Sequence, residues 1–166
     1  MLSIKCKRII IISGVTRMSY QNILVPVDGS QISFSAVKHA AEIAKAFNSK
    51  LTLISLVAED PFTDSDFYYN YSSAIMKEYF VQATANAKKA LKEADEIAKA
   101  LGVNAETRVV EGLVSAEGVI KTAKDLNADV IVIGSHGRKG FQKLLLGSFA
   151  TDVLRHTELP VLVVKA

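Results

Sequence analysis

Short aliphatic runs alternate along this chain with longer segments of helical periodicity, and this alternation limits the possible folds more than any other feature. The runs at residues 23–27, 129–133 and 161–165 are apolar almost throughout, which is typical of strands buried on both faces of a sheet. Parallel strands need a crossover connection, which is usually a helix. The alternation therefore predicts an α/β fold with a parallel sheet.

The complete pattern predicts five strands and four helices. We expect strands at residues 23–27, 50–57, 104–110, 129–133 and 161–165, and helices at about 30–47, 73–101, 114–126 and 148–156. The third strand alternates with charged residues, which suits an edge, and Glu111-Gly112 predicts a turn after it. We therefore expect a single doubly wound, Rossmann-like domain, with a five-stranded parallel sheet in the order 3-2-1-4-5 and helices on both faces.

Composition excludes several classes of protein. The chain has 166 residues, of which 49% are hydrophobic, and this favours one core of ordinary size. A net charge of +3 gives no concentrated basic face for a nucleic acid. The single cysteine, Cys6, forms no disulfide within the chain, which predicts a cytoplasmic protein. No apolar run reaches the roughly 20 residues that span a membrane.

The first 18 residues do not continue the regular pattern. A basic stretch at residues 5–8 precedes a short apolar run, as in a signal peptide, but Ser13-Gly14 interrupts the run and no clear cleavage site follows. Met18 is a second possible start, and the periodic pattern begins after it. We expect residues 1–18 to be an extension that is flexible or non-native, and residues 19–166 to be the folded domain.

The predicted strand order brings two loops to one crevice. In such a sheet, ligands bind outside the carboxyl ends of the strands where the order reverses, here between the first and fourth strands. The loop after the first strand is Asp28-Gly29-Ser30. The carboxylate of Asp28 is suited to accept hydrogen bonds from a ribose hydroxyl, or it bonds its own backbone in the turn.

The loop after the fourth strand has the composition of a phosphate site. Glycines let the backbone approach a ligand closely, and the amino end of a helix attracts anions. Arg138, Lys139 and Lys143 add positive charge nearby. The alternative is that the glycines only form turns and that Ser148 caps its helix. Neither a P-loop nor a dinucleotide-binding fingerprint is present. The glycines of this loop and the start of the next helix are Gly134, Gly137, Gly140 and Gly147-Ser148.

The segment from Gly134 to Ser148 resembles the signature of the universal stress protein family. It has the family's pattern of a glycine, two residues, a glycine, nine residues, a glycine and then serine or threonine. Residues 22–28 and 160–164 are also similar to family members. The resemblance covers about residues 19–166, whereas the first 18 residues have no counterpart in the usual pattern.

The resemblance implies a nucleotide-binding domain of the subgroup that binds ATP. It implies that Asp28 meets the ribose, that backbone near Val27, Leu56 and Ile133 lines the adenine pocket, and that phosphates contact Gly134, Gly137, Gly147 and Ser148. The other predicted binding residues are Pro26, His136, Arg138, Gly140 and Phe149. We expect Mg²⁺ or Mn²⁺ to arrive bound through the phosphates. The resemblance also implies a homodimer through the last strand, Val161–Val164, and an apolar edge strand supports this independently.

We therefore expect an ATP-binding regulatory or stress-response protein. No general base is evident, so any ATPase activity should be weak, and the three histidines lack metal-ligand spacing. Two alternatives stay open. One is a slow hydrolase or phosphotransferase that uses His136 or Ser148. The other is a protein-interaction module that uses the Asp- and Tyr-rich loop at residues 60–71.

Overall fold

The computed structural model describes residues 20–59, 74–137 and 146–165. Strands and helices alternate in these ranges. The strands are β1 (Asn22–Pro26), β2 (Lys50–Ala58), β3 (Ala105–Gly112), β4 (Val130–Gly134) and β5 (Val161–Val164). The helices are α1 (Gln31–Phe47), α2 (Ala74–Ala100), α3 (Ala116–Asp125) and α4 (Ser148–His156). Among the described residues, no helix is both long and apolar enough to cross a membrane.

The five strands form one parallel sheet in the order β3-β2-β1-β4-β5, which confirms the predicted fold and strand order. β1 lies at the centre, where Ile23 is in register with Leu51 of β2 and with Val130 of β4. The outer positions belong to β3 and β5. The point at which the order reverses is therefore the junction of β1 and β4.

Helices cover both faces of the sheet, and alternate residues of a strand enter different cores. On β1, Val25 joins the core beneath α1 and α2, whereas Leu24 joins the core beneath α3 and α4. Small side chains make the packing of α1 close, since Ala36, Ala40 and Ala44 are almost completely buried. Burial on both faces explains why these strands are apolar throughout.

β3 is longer than its composition predicts. The predicted turn at Glu111-Gly112 lies within the strand, where Glu111 is in register with Val57 and Gly112 with Ala58. Pairing with the long strand β2 outweighs the turn-like local sequence. As a result α3 begins at Ala116 rather than at residue 114, and Ser115 is its N-cap.

Asp129 fixes the amino ends of the two central strands. Its Oδ2 atom accepts hydrogen bonds from the backbone amides of Gln21, at 2.7 Å, and Asn22, at 3.2 Å. The residue lies just before β4, although the apolar run predicted it within the strand. Its carboxylate therefore joins β4 to the start of β1.

α2 is the longest helix, with 27 residues. Its carboxyl-terminal part packs on the sheet through buried residues from Ala87 to Ala98. Because α2 follows β2, its amino end lies at the carboxyl edge of the sheet. The 13 residues before Ala87 have a helical length of about 20 Å. No residue from 77 to 86 is buried, so we infer that this part of α2 extends beyond the edge of the sheet.

Candidate functional site

A cleft lies at the carboxyl ends of β1, β2 and β4, with a cavity volume of about 940 Å³. The amino-terminal parts of α2 and α4 form its sides. It occupies the junction of β1 and β4, which is where a doubly wound sheet binds ligands.

Most of the residues predicted from the sequence line this one cavity. Arg138 and Gly140 lie outside the described residues, as do Lys139, Lys143 and residues 60–71. The predicted residues that line the cavity are Pro26, Val27, Asp28, Leu56, Ile133, Gly134, His136, Gly137, Gly147, Ser148 and Phe149.

The loop after β1 is a tight turn that holds Asp28 at the cleft. The Oδ1 atom of Asp28 accepts hydrogen bonds from the backbone amide of Ser30, at 2.9 Å, and from its hydroxyl, at 2.6 Å. Ser30 in turn caps α1 by accepting a hydrogen bond from the amide of Ser33. The turn bond that was the alternative role for Asp28 is thus formed, and it engages Oδ1.

The second oxygen of Asp28 faces the loop after β4. A Cβ atom placed on Gly137 would lie 3.4 Å from Oδ2 of Asp28. The carboxylate and the backbone of Gly137 are therefore close neighbours, although more than half the chain separates them. Among the residues that the structure describes, Oδ2 of Asp28 is the one heavy atom within 4 Å of that Cβ position, and Gly137 lines the cavity.

Ser135 joins the two ends of the segment from Gly134 to Ser148, which we call the glycine-spaced segment. It is completely buried, its amide donates to the carbonyl oxygen of Val164 at 2.7 Å, and its carbonyl accepts from the amide of Gly147 at 2.7 Å. The close approach of Gly147 needs the missing side chain, since a Cβ there would lie 3.2 Å from the Ser135 oxygen. The beginning of α4 is thus held against the end of β4.

The start of α4 faces the cleft without a side-chain cap. Gly147 is the N-cap residue and makes no side-chain capping bond, while Ser148 is the first residue of the helix. The alternative interpretation of Ser148 as the N-cap is therefore wrong. The first amides of a helix have no partners within it, and they carry a partial positive charge. The helix start is suited to an anion.

His136 has a hydrogen-bond partner that the sequence did not indicate. Its Nδ1 atom lies 2.8 Å from the hydroxyl of the preceding residue, Ser135. The other two histidines do not line the cavity: His39 lies on α1 near Glu42, and His156 bonds the carbonyl of Asp152 in the last turn of α4. In the part of the chain that the structure describes, no three potential ligands are grouped to hold a metal ion.

One face of α2 also lines the cleft, and sequence reasoning missed it. The side chains concerned recur at helical spacing, and the Nε2 atom of Gln82 donates a hydrogen bond to Oδ1 of Asn86 at 3.0 Å. The spacing was visible in the sequence, but the extension of α2 beyond the sheet was not. The lining residues of this face are Tyr79, Gln82, Ala83, Asn86 and Ala87.

Glu106, which lies on β3 away from the cleft, has a clearly shifted pKa. A hydrogen bond from Lys50 and then one from Arg108 lower the pKa of Glu106. The Nζ atom of Lys50 lies 2.8 Å from Oε2 of Glu106. This group of charges joins β2 to the edge strand and does not line the cavity.

The chain is similar to known proteins over most of its length. The sequence profile described as the universal stress protein family matches residues 19–165. A universal stress protein of Methanocaldococcus jannaschii is 36% identical over 148 residues, which are 88% of this chain and 82% of that protein.

Solved structures agree with this relationship. A universal stress protein in complex with cAMP is 29% identical, with a TM-score of 0.65 over 89% of this chain and 98% of that one. The universal stress protein from Archaeoglobus fulgidus in complex with dAMP has a TM-score of 0.67 over 89% of this chain and 100% of that one. At 23% identity the second likeness concerns the fold alone. Because the family profile and a relative at 36% identity both span nearly all of the sequence, this chain belongs to the universal stress protein family.

Proposed function

We propose that this chain binds ATP in the cleft at the carboxyl ends of β1, β2 and β4, and that it acts by binding rather than by turnover. The observation that carries the proposal is the approach of Asp28 to Gly137, in the cavity that the start of α4 also lines. A carboxylate for a sugar hydroxyl stands beside a glycine backbone and a helix start for phosphates.

In this proposal the two ends of the cleft bind different parts of the nucleotide. The phosphates contact residues 134–137 and 147–148, and the ribose meets the carboxylate of Asp28. Adenine lies near Val27, Leu56 and Ile133. Pro26, His136 and Phe149 complete the described lining, and Arg138 and Gly140 belong to the same set. A divalent ion, Mg²⁺ or Mn²⁺, would bind through the phosphate oxygens.

A relative supports the choice of an adenine nucleotide. The similar universal stress protein at 29% identity was solved with cAMP. We favour ATP because phosphate-binding features stand in two places, the loop after β4 and the start of α4. A longer phosphate chain could reach both.

A homodimer through β5 belongs to the same proposal. β5 is an outer strand of the sheet, and its Leu162 side chain is 39% exposed. An unpaired apolar strand edge is a liability that pairing with a second copy removes. The single cysteine, which fits a reducing compartment, supports a cytoplasmic location for this stress-response dimer.

Calorimetric titration of the purified protein with ATP and Mg²⁺ tests the proposal. We expect saturable binding by the wild type, competition by cAMP, and loss of binding in Gly137→Val, whose side chain would enter the space beside Asp28. Lys88→Leu, an exposed change on α2 outside the cavity, serves as the control and should bind as the wild type does. Absence of both heat and thermal stabilisation at millimolar ATP would refute the proposal.

A further inference from the structure

The part of α2 before Ala87, which extends beyond the sheet, presents a polar face to the cleft. Tyr79, Gln82 and Asn86 lie at intervals of three and four residues, so that they share one side of the helix. Tyr79 is 64% exposed although it lines the cavity. Further along the helix, the same side continues into the buried contact with the sheet at Ala87 and Ala90. The core packing of α2 therefore fixes the direction of this face.

The face lies at the end of the cleft away from the glycine-spaced segment. α2 packs on β2 and β3, whereas the segment follows β4. Because β1 separates β2 from β4 and neighbouring strands are about 4.8 Å apart, the carboxyl ends of β2 and β4 are about 10 Å apart. With phosphates at the segment, a base above Val27, Leu56 and Ile133 would have one edge directed towards α2 and the end of β2.

The hydrogen bond between the two amides determines what they offer to a ligand. The Nε2 atom of Gln82 donates to Oδ1 of Asn86, at 3.0 Å. In this orientation the pair still carries an acceptor, Oε1 of Gln82, beside a donor, Nδ2 of Asn86. Adenine carries the complementary pair on one edge, with the N6 amine as donor and N7 as acceptor, and amide side chains recognise this edge in nucleic acids.

We propose that Gln82 and Asn86 are specificity-determining residues that read the N6–N7 edge of adenine, with Tyr79 packing against the base. This inference rests on the proposed nucleotide function and assigns the recognition of the base to α2. Val114, which lines the cavity from the segment after β3 and is 60% exposed, bounds the same end of the cleft. The base would then lie between the aromatic ring of α2 and this apolar side chain.

The test compares ATP with purine riboside triphosphate, which lacks the N6 amine, by calorimetric titration of the full chain. The wild type should bind ATP about 3- to 10-fold more tightly than the analogue, as one neutral hydrogen bond provides. Gln82→Leu should bind the two ligands equally, and Asn86→Leu should reduce ATP affinity by a similar factor. Tyr79→Ala should weaken both ligands alike, whereas Lys88→Leu should leave the ratio unchanged. The substituted positions are exposed, so the fold should tolerate them.

The possible failures are distinguishable. If the wild type binds ATP and the analogue equally, or if Gln82→Leu keeps the wild-type ratio, the inference about α2 is wrong and the proposed function stands. If the wild type binds neither ligand, both are wrong. Asn86→Leu should weaken both ligands alike, because both carry N7, the acceptor assigned to Asn86. A loss of affinity in Gln82→Leu that is equal for both ligands would overturn the role of Gln82, because it would reflect shape rather than recognition of N6.

Discussion

The backbone amide of Gly147 donates to the carbonyl oxygen of Ser135 at 2.7 Å, and a side chain at position 147 would press on the same oxygen. We predict that Gly147→Val displaces the start of α4 from the end of β4 and weakens ATP binding by about tenfold or more, which corresponds to about 1.4 kcal/mol. Gly147→Ala should give a smaller loss. Calorimetric titration measures the ATP affinity of both variants. Wild-type affinity in Gly147→Val would contradict the role of Gly147 in positioning the start of α4.

Gly134 and Gly137 should differ in their effect on stability. A Cβ on Gly134 would lie 3.0 Å from Cγ2 of Ile32 and 3.2 Å from its carbonyl carbon. A Cβ on Gly137 would make an ordinary contact, at 3.4 Å, with Oδ2 of Asp28 as its nearest neighbour among the described residues. We predict that Gly134→Ala lowers the free energy of unfolding by about 1–3 kcal/mol through overpacking. Gly137→Ala should change it by less than about 0.5 kcal/mol. Urea denaturation without nucleotide measures the free energy of unfolding of both variants. Equal losses in the two variants would contradict the predicted difference between Gly134 and Gly137.

The proposed dimer predicts a change of mass on substitution of Leu162. A lysine at this partly exposed position of β5 would place a charge at the strand edge that a second copy would cover. We expect wild-type protein to be a dimer and Leu162→Lys to be a monomer in light scattering coupled to gel filtration. Val81→Lys, an exposed apolar position on α2, is the matched control and should remain a dimer. A monomeric wild-type protein would refute the proposed dimer.

The ion pairs on β3 predict a pH effect of definite sign. Lys50, and then Arg108, lower the pKa of Glu106 in the folded chain. The stabilisation from these contacts is therefore complete above the unfolded pKa of the carboxyl group and is lost as the pH falls through the lowered folded value. Lys50→Met should raise the pKa of Glu106 towards its ordinary value in an NMR titration. Lys99→Met, which removes a contact to Asp95 instead, should leave it unchanged.

Turnover of ATP should be slow. The Nδ1 atom of His136 lies within hydrogen-bond distance of the Ser135 hydroxyl, which competes with a water molecule for that nitrogen. We predict steady-state hydrolysis below about 1 s⁻¹, the lower end of ordinary enzymes. His136→Ala should change this rate little. Faster hydrolysis that disappears in the variant would favour the alternative of a true hydrolase.

The fold was predictable because its central strands are buried on both faces. The apolar runs of β1, β4 and β5 and the charges of β3 specified the strand order, since burial and exposure follow from position in the sheet. The end of β3 was not predictable from local sequence. Glu111-Gly112 has turn composition, yet it pairs with β2, and this pairing depends on the length of a different strand.

The candidate site, like the fold, was predictable from the sequence only in part. Asp28 and the glycine-spaced segment were predicted from topology to share a crevice, and Asp28 lines one cavity with the start and the end of that segment. The roles of Gly147 and Ser148 at the start of α4 depend on backbone angles that the pattern of residue types does not determine. The contribution of Gln82 and Asn86 depends on how far α2 extends past the sheet, which is a property of the whole packed helix.

The pairing of β1 with β4 has a consequence for the order of folding. Asp28 and Gly137 become neighbours only when these two strands, which are distant in the chain, have joined. We expect such non-local contacts to form late, because the entropy of closing a long loop opposes them. A nucleotide held between the two residues would therefore stabilise the completed sheet alone, and its main kinetic effect would be to slow unfolding. Occupancy of the cleft would thus report that synthesis and assembly of the domain are complete.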